Sequence, residues 1–128
     1  MSRFMPILMI GSLLLAGCAP TTTDRIAAAT PERQCMFPDD VHSFRVRSTD
    51  QTVFVRGTGK AVFKLQPAGD CRGLDKAMRL AVVDQAARLC VSDWTMIASS
   101  SSPAPCRAQI VQRLTAAEVA ALPSSDRP

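Results

Sequence analysis

Apolar and basic residues alternate along Phe44-Arg45-Val46-Arg47, the period-two pattern of a half-buried strand. Thr52-Val53-Phe54-Val55-Arg56 and Ala61-Val62-Phe63-Lys64-Leu65 are rich in β-branched and aromatic residues and read as two more strands. Gly57-Thr58-Gly59-Lys60 between them is a tight-turn signal, and closing it with Gly57 opposite Lys60 predicts Phe54 opposite Phe63 and Val55 opposite Val62. A loop over Thr49 to Gln51 then sets Val46 beside Phe54. That register gathers Phe44, Val46, Phe54, Phe63 and Leu65 on one face and leaves Arg47 on the other.

The middle of the chain supports two readings. Leu74, Ala77, Met78, Ala81, Val82 and Leu89 fall at helical spacing, and no Gly or Pro interrupts 74 to 90. Alternatively, one helical turn at Leu74–Ala77 precedes a short strand, Leu80-Ala81-Val82-Val83. Arg88 to Ile97 and Arg107 to Leu114 read as two further strands, separated by the Ser- and Pro-rich loop Ser99–Pro105. Thr115-Ala116-Ala117-Glu118 is a capping box opening a short helix that Pro123 ends. The expected fold is mainly β: a small antiparallel meander or partly closed barrel of about six strands with one or two short helices. The alternative is α+β, with a helix near 74–88.

At the N-terminus, Arg3, the apolar run Met5–Leu15 and the small residues before Cys18 make an export signal rather than a spanning helix. Leu15-Ala16-Gly17-Cys18 resembles the lipobox of bacterial lipoproteins. The resemblance implies cleavage before Cys18, a diacylglycerol thioether on its sulfur and an acylated amine; Ala19 after it implies sorting to the outer membrane, facing the periplasm. Residues 1–17 are thus read as signal, 18–33, rich in Thr, Ala and Pro, as a disordered tether, 34–122 as a single folded domain and 123–128 as a frayed tail.

The chain has five cysteines. With Cys18 assigned to lipid, Cys35, Cys71, Cys90 and Cys106 form an even set in a small exported domain, which reads as two disulfides. Without a C-x-x-C pair, and with His42 the lone histidine, zinc spacing is missing and no metal or cofactor is expected. Up-and-down strands place Cys35 and Cys90 at one end of the sheet and Cys71 and Cys106 at the other. Bridging needs Cα atoms within about 7 Å, so the topology predicts Cys35–Cys90 with Cys71–Cys106; the sequential pairing Cys35–Cys71 with Cys90–Cys106 would require the chain to double back.

Cys35-Met36-Phe37, Val53-Phe54-Val55-Arg56, Gly69-Asp70-Cys71, Leu74-Asp75, Arg88-Leu89-Cys90, Cys106-Arg107 and the closing Leu114-Thr115-x-x-Glu118 resemble a family of small proteobacterial envelope lipoproteins catalogued only as a domain of unknown function. Its members tend to be Gly- and Ser-rich where this chain has Asp84-Gln85-Ala86-Ala87, which implies a turn there and favours strands over one long helix. The resemblance brings no activity or ligand with it.

The formal net charge is +4, but the basic residues are interleaved with Asp, and aromatics are only 5% of the chain, so a nucleic-acid partner is not expected. His42 near Asp39, Asp40, Ser43 and Ser48 is read as a surface histidine, and no catalytic constellation emerges. Asp70 and Asp75 are read as turn residues and a cap. Arg45, Arg47 and Arg56 would project from the outer face of neighbouring strands, and they are the candidate partner contacts together with Trp94, itself read as half-buried core. The sequence therefore points to a non-enzymatic binding or assembly module, attached to a membrane by its lipid and facing another envelope protein or the cell wall. The alternative is an inhibitor of a cell-wall hydrolase or protease, working through Ser99–Pro105.

Overall fold

The computed structural model describes residues 34–102 and 104–128; the expected signal, Cys18 and the expected tether lie outside them. Eight strands form: β1 Cys35–Met36, β2 Ser43–Val46, β3 Val53–Arg56, β4 Val62–Pro67, β5 Leu80–Val83, β6 Leu89–Cys90, β7 Trp94–Ser99 and β8 Cys106–Leu114. One helix follows, α1 Ala116–Ala121.

Six strands make an antiparallel half-barrel in the order β2-β3-β4-β8-β7-β5, and β1 pairs with β6 in a small separate sheet. The fold is mainly β, as the sequence predicts. It is not one continuous meander, however: β2-β3-β4 and β5-β7-β8 are two meanders, and β8 comes in beside β4 to join them. The edge strands β2 and β5 do not pair with each other. The turn Pro38–Asp40 packs on β5, and the segment 75–78 lies across a cleft from Phe44–Val46. The concave side holds the core, with Val53, Val55, Phe63, Leu65, Ile97 and Ile110 fully buried. Met36 and Leu89 join it from the small sheet.

The first meander differs from its predicted register by one residue. Val55 pairs with Phe63 and Phe54 with Lys64, while Val46 pairs with Val53 and Arg45 with Phe54. Both connections are one residue longer than expected. Gly57 N–H donates to Ala61 O (2.8 Å), leaving Thr58-Gly59-Lys60 as the loop, with Gly59 and Lys60 both left-handed at φ 67° and 66°. Arg47 N–H donates to Thr52 O (2.8 Å), so Ser48 to Gln51 form the other loop; Asp50 Oδ1 accepts from Thr52 N–H there (3.0 Å). The shift keeps Phe44, Val46, Phe63 and Leu65 on the inner side, adds Val53 and Val55, and sends Phe54 to the outer face. Four β-branched or leucine side chains and two phenylalanines fill the concave face with a shape that the Phe54-inward register does not give.

The middle segment takes the strand reading. Leu74–Lys76 is a single 3-10 turn, β5 follows, and Asp84 Oδ1 accepts from Ala86 N–H (2.9 Å) in a turn at 84–87. The strand predicted over Arg88 to Ile97 is broken instead. Ser92 is left-handed at φ 80°, and Asp93 Oδ2 accepts from Cys90 N–H (2.8 Å). That kink frees β6 to pair with β1 while β7 pairs with β8.

Disulfides join Cys35 to Cys90 and Cys71 to Cys106, the pairing that up-and-down strands require. The Cys71 and Cys106 Cα atoms are 5.8 Å apart, near the Pro67–Ala108 end of the β4–β8 pair. The other bridge lies by the β3–β4 turn, where Cys35 shares a cleft with Gly57 and Thr58. Closing chain separations of 35 and 55 residues, each stabilises the domain by about 2–4 kcal/mol.

Residues 123–128 are not a frayed tail. Ser124–Asp126 form a 3-10 turn that packs on β2, and Asp126 Oδ2 accepts from Arg47 Nε at 2.7 Å. Because α1 packs by β8 and this turn by β2, the chain between them crosses the outer faces of β4 and β3. A β-bulge helps place it. Leu65 pairs with Ile110 but Lys64 with Gln112, so Val111 is an extra residue in β8. Before it Ala108 and Ile110 face inward; after it Gln112 and Leu114 face outward.

Candidate functional site

Ile97 and Thr95 point into the core beside Ala108 and Val82, so their alternates Trp94 and Met96 must point out. Met96 pairs with Val83 on one side and Arg107 on the other, and Trp94 pairs with Gln109. Three large apolar side chains thus share one outer face: Val83 is 49% exposed, Trp94 44% and Met96 38%. The Arg107 guanidinium lies 4.4 Å from the centre of the Trp94 ring, a cation–π contact that fixes the indole as a flat platform. Gln109 Nε2 donates to Ser92 O (3.2 Å), tying the kink to the same face. Scattered exposed apolar residues are ordinary on any surface; here three lie adjacent on one sheet face, rimmed by Arg107 and Gln109.

Trp94 is therefore outward-facing rather than part of the core. The signal was present in Trp94-Thr95-Met96-Ile97, but only pairing with Ala108 decides which alternate set is buried. Val83, Met96 and Arg107 were missed because they come together through cross-strand register, which no local pattern fixes.

The structure separates the candidate arginines. Arg47 is engaged, with Nε on Asp126 and its guanidinium 5.0 Å from the Phe54 ring centre; a second nitrogen lies 3.8 Å from Asp50. Arg45 is exposed, and its Nη1 donates to Phe44 O (3.0 Å). Arg56, at the end of β3, is partly buried, and its Nε has no hydrogen-bond partner among the described residues. All three lie on the first meander and Trp94 on the second, so they do not form one site. His42 is exposed and makes no side-chain hydrogen bond among the described residues, and its main-chain N–H donates to Arg56 O (2.9 Å). Asp70 accepts from Arg72 Nε (3.1 Å) in an exposed turn. Among the described residues no cluster of three or more His, Cys, Asp or Glu could hold a metal ion.

The loop after β7 is braced through its serines. Ser100 Oγ accepts from Met78 N–H (3.0 Å) and Arg79 N–H (3.1 Å), and Ser101 Oγ donates to Gly73 O. Gly73, left-handed at φ 75°, lets the two loops meet: a Cβ there would come within 3.2 Å of Ser101 O.

Two carboxylates are shifted, both by structure rather than chemistry. Thr52 N–H donating to Asp50 holds that carboxyl below the ordinary aspartate range. Thr115 N–H does the same for Glu118, whose Oε2 accepts from it (2.7 Å) while Glu118 N–H donates to Thr115 Oγ1 (3.2 Å). Neither group faces a cleft partner that would make it an acid or a base.

No curated protein and no solved structure matches the chain. A family description does match, over residues 1–127: it reads family of unknown function (DUF6491), and the chain belongs to that family.

Proposed function

We propose that this chain is a non-enzymatic binding or assembly module of the bacterial envelope, anchored by lipid at Cys18 and docking a partner protein on the outer face of β5, β7 and β8. The observation that carries the reading is the strip of Val83, Trp94 and Met96, left bare while the neighbouring meander is covered. Tryptophan and methionine are enriched in the centres of protein interfaces, and arginine at their rims. The envelope location rests on the pattern of Arg3, Met5–Leu15 and Leu15-Ala16-Gly17-Cys18, and on the two disulfides, which persist in oxidising compartments. Anchoring in the outer membrane, facing the periplasm, follows from Ala19 by the same resemblance.

A photo-reactive residue placed at Met96 should capture one discrete partner in intact cells, and the same residue at the exposed Arg72 should capture none. Adducts of equal yield and variety at both positions would sink the reading.

One observation favours a second reading, inhibition of a cell-wall hydrolase or protease. The exposed serine loop is held by the Cys71–Cys106 bridge at its base and by Ser100 and Ser101 on their backbone partners. A pre-organised loop loses little freedom on entering an active site. Replacing Ser101-Ser102 by Gly-Gly should abolish inhibition of the target hydrolase and leave Met96 crosslinking intact.

A further inference from the structure

The bottom of the half-barrel carries a groove of about 400 Å³ between the β3–β4 turn, the end of β8 and α1. Three cations from three elements line it: Arg56 from the end of β3, Lys60 from the turn and Arg113 from β8. Among the described residues no carboxylate lines it, and none of the three makes an ion pair. Glu118, the acid on the adjoining helix, is spent on its own capping box and on Gln112 Nε2 (2.7 Å). Asp40 lines a neighbouring cleft that Arg113 also borders, yet it makes no ion pair with Arg113.

Uncompensated surface charge is common, and on its own it would carry nothing. Arg56 adds an independent observation. Its Nε is sequestered from solvent and has no acceptor among the described residues, although buried guanidinium N–H groups are normally satisfied. The fold thus leaves an unsatisfied donor on a side chain that lines a groove of positive charge, and a small turn of that side chain toward an anion seated there would satisfy it.

We propose that this groove binds a phosphomonoester on a compact uncharged body. A single carboxylate would answer one cation. A phosphomonoester brings about −1.5 to −2 charges and three acceptor oxygens, matching donors from three directions, with Arg56 and Arg113 able to contact it in bidentate fashion. The groove is larger than a phosphate group alone, and its remaining wall, Ala61, Leu114 and Val119, is apolar; that wall suits the face of a sugar ring or the glycerol end of a lipid. The site is separate from the Trp94 face and does not depend on it.

The test uses the protein as isolated from cells, reconstituted in phosphatidylcholine nanodiscs, with backbone amide NMR shifts as the readout. Titration with glucose 1-phosphate should give saturable shifts confined to residues 56–61 and 113–119, and glucose should give none. Nanodiscs containing phosphatidic acid form the second arm; shifts in that arm alone would assign the phosphate to a lipid, and shifts in the first alone to a soluble ligand. Lys60→Gln, at an exposed position that cannot unfold the domain, should weaken binding about tenfold, the loss of one charge-assisted contact, and Arg56→Gln at least as much. Arg72→Gln, at the far end of the sheet, should leave it unchanged. Shifts in neither arm, shifts spread over Arg72 and Lys76 as well, or equal affinity in Lys60→Gln would each overturn the proposal.

Discussion

The outer faces of the two meanders are built alike and finished differently. On β2-β3-β4, Phe54 is 1% exposed, although it points away from the core. The Arg47 guanidinium lies over its ring, Asp126 holds Arg47, and the chain after β8 crosses above. On β5-β7-β8, the side chains of comparable size, Trp94 and Met96, have Arg107 beside them and, among the described residues, no segment that buries them. The difference lies in where the last twelve or so residues go, not in the strands themselves. An outward-facing aromatic becomes core when a segment of the same chain folds over it, and stays solvent-exposed when none does.

The contrast can be broken most directly by truncating the two aromatics. Phe54→Ala should cost about 3–5 kcal/mol in urea unfolding, and Trp94→Ala no more than about 1 kcal/mol, since half its surface is already solvated. Similar losses would mean the Phe54 side is no more covered than the other. Next in size is the clasp. Asp126→Ala leaves Arg47 without its carboxylate partner and should cost about 1–3 kcal/mol, and the same substitution should raise amide exchange at residues 116–126 before any other part of the sheet. Uniform exchange would show that the segment is not held through Arg47.

Smaller still is the helix start. Thr115→Ala removes the cap and should cost about 1 kcal/mol. Glu118 gives the same feature a pH signature. Its carboxyl is held below the ordinary glutamate range by Thr115 N–H, so its stabilising effect is complete above that range and is lost as the pH falls through the lowered value. Acid should therefore loosen α1 in wild type and have less effect in Glu118→Gln; an identical acid response in both would place the sensitivity elsewhere. Smallest of all, Arg45→Ala should stay within about 0.5 kcal/mol of wild type, which sharpens the point that Arg47, two residues on, is tied into the covered face and Arg45 is not.

Much of this architecture was legible in the chain. The strands of the first meander, the capping box at Thr115 and the cysteine pairing all rest on local chemistry or on counting strand directions. Register was not legible, because a turn such as Gly57-Thr58-Gly59-Lys60 closes with two residues or three at little difference in local energy. The choice falls to the packing of Val53, Val55, Phe63 and Leu65 on residues far along the chain. The fate of Pro123-Ser124-Ser125-Asp126 was hidden for the same reason: nothing in those residues announces a partner at Arg47. The candidate face suffered twice, since Trp94, Met96 and Val83 meet only after both the β7–β8 and β5–β7 registers are set.

Val111 gives β8 a consequence of its own. Every strand position carries a parity, in or out, and a single inserted residue reverses it for everything downstream. Here the reversal falls inside the strand, between Ile110 and Gln112, so one nine-residue ribbon reads in one phase beside β7 and in the opposite phase as it hands the chain to α1. Deleting Val111 would remove the bulge and leave a single alternation, Ile110 in and Gln112 out, with both halves of β8 still in register on β4. A one-residue deletion in the loop at 48–51 would merely tighten a turn. The chain should therefore tolerate the loss of a residue at its turns and at Val111, and almost none within β4, where losing Lys64 would turn Leu65 to the outer face, a contrast that a scan of single-residue deletions would read out directly.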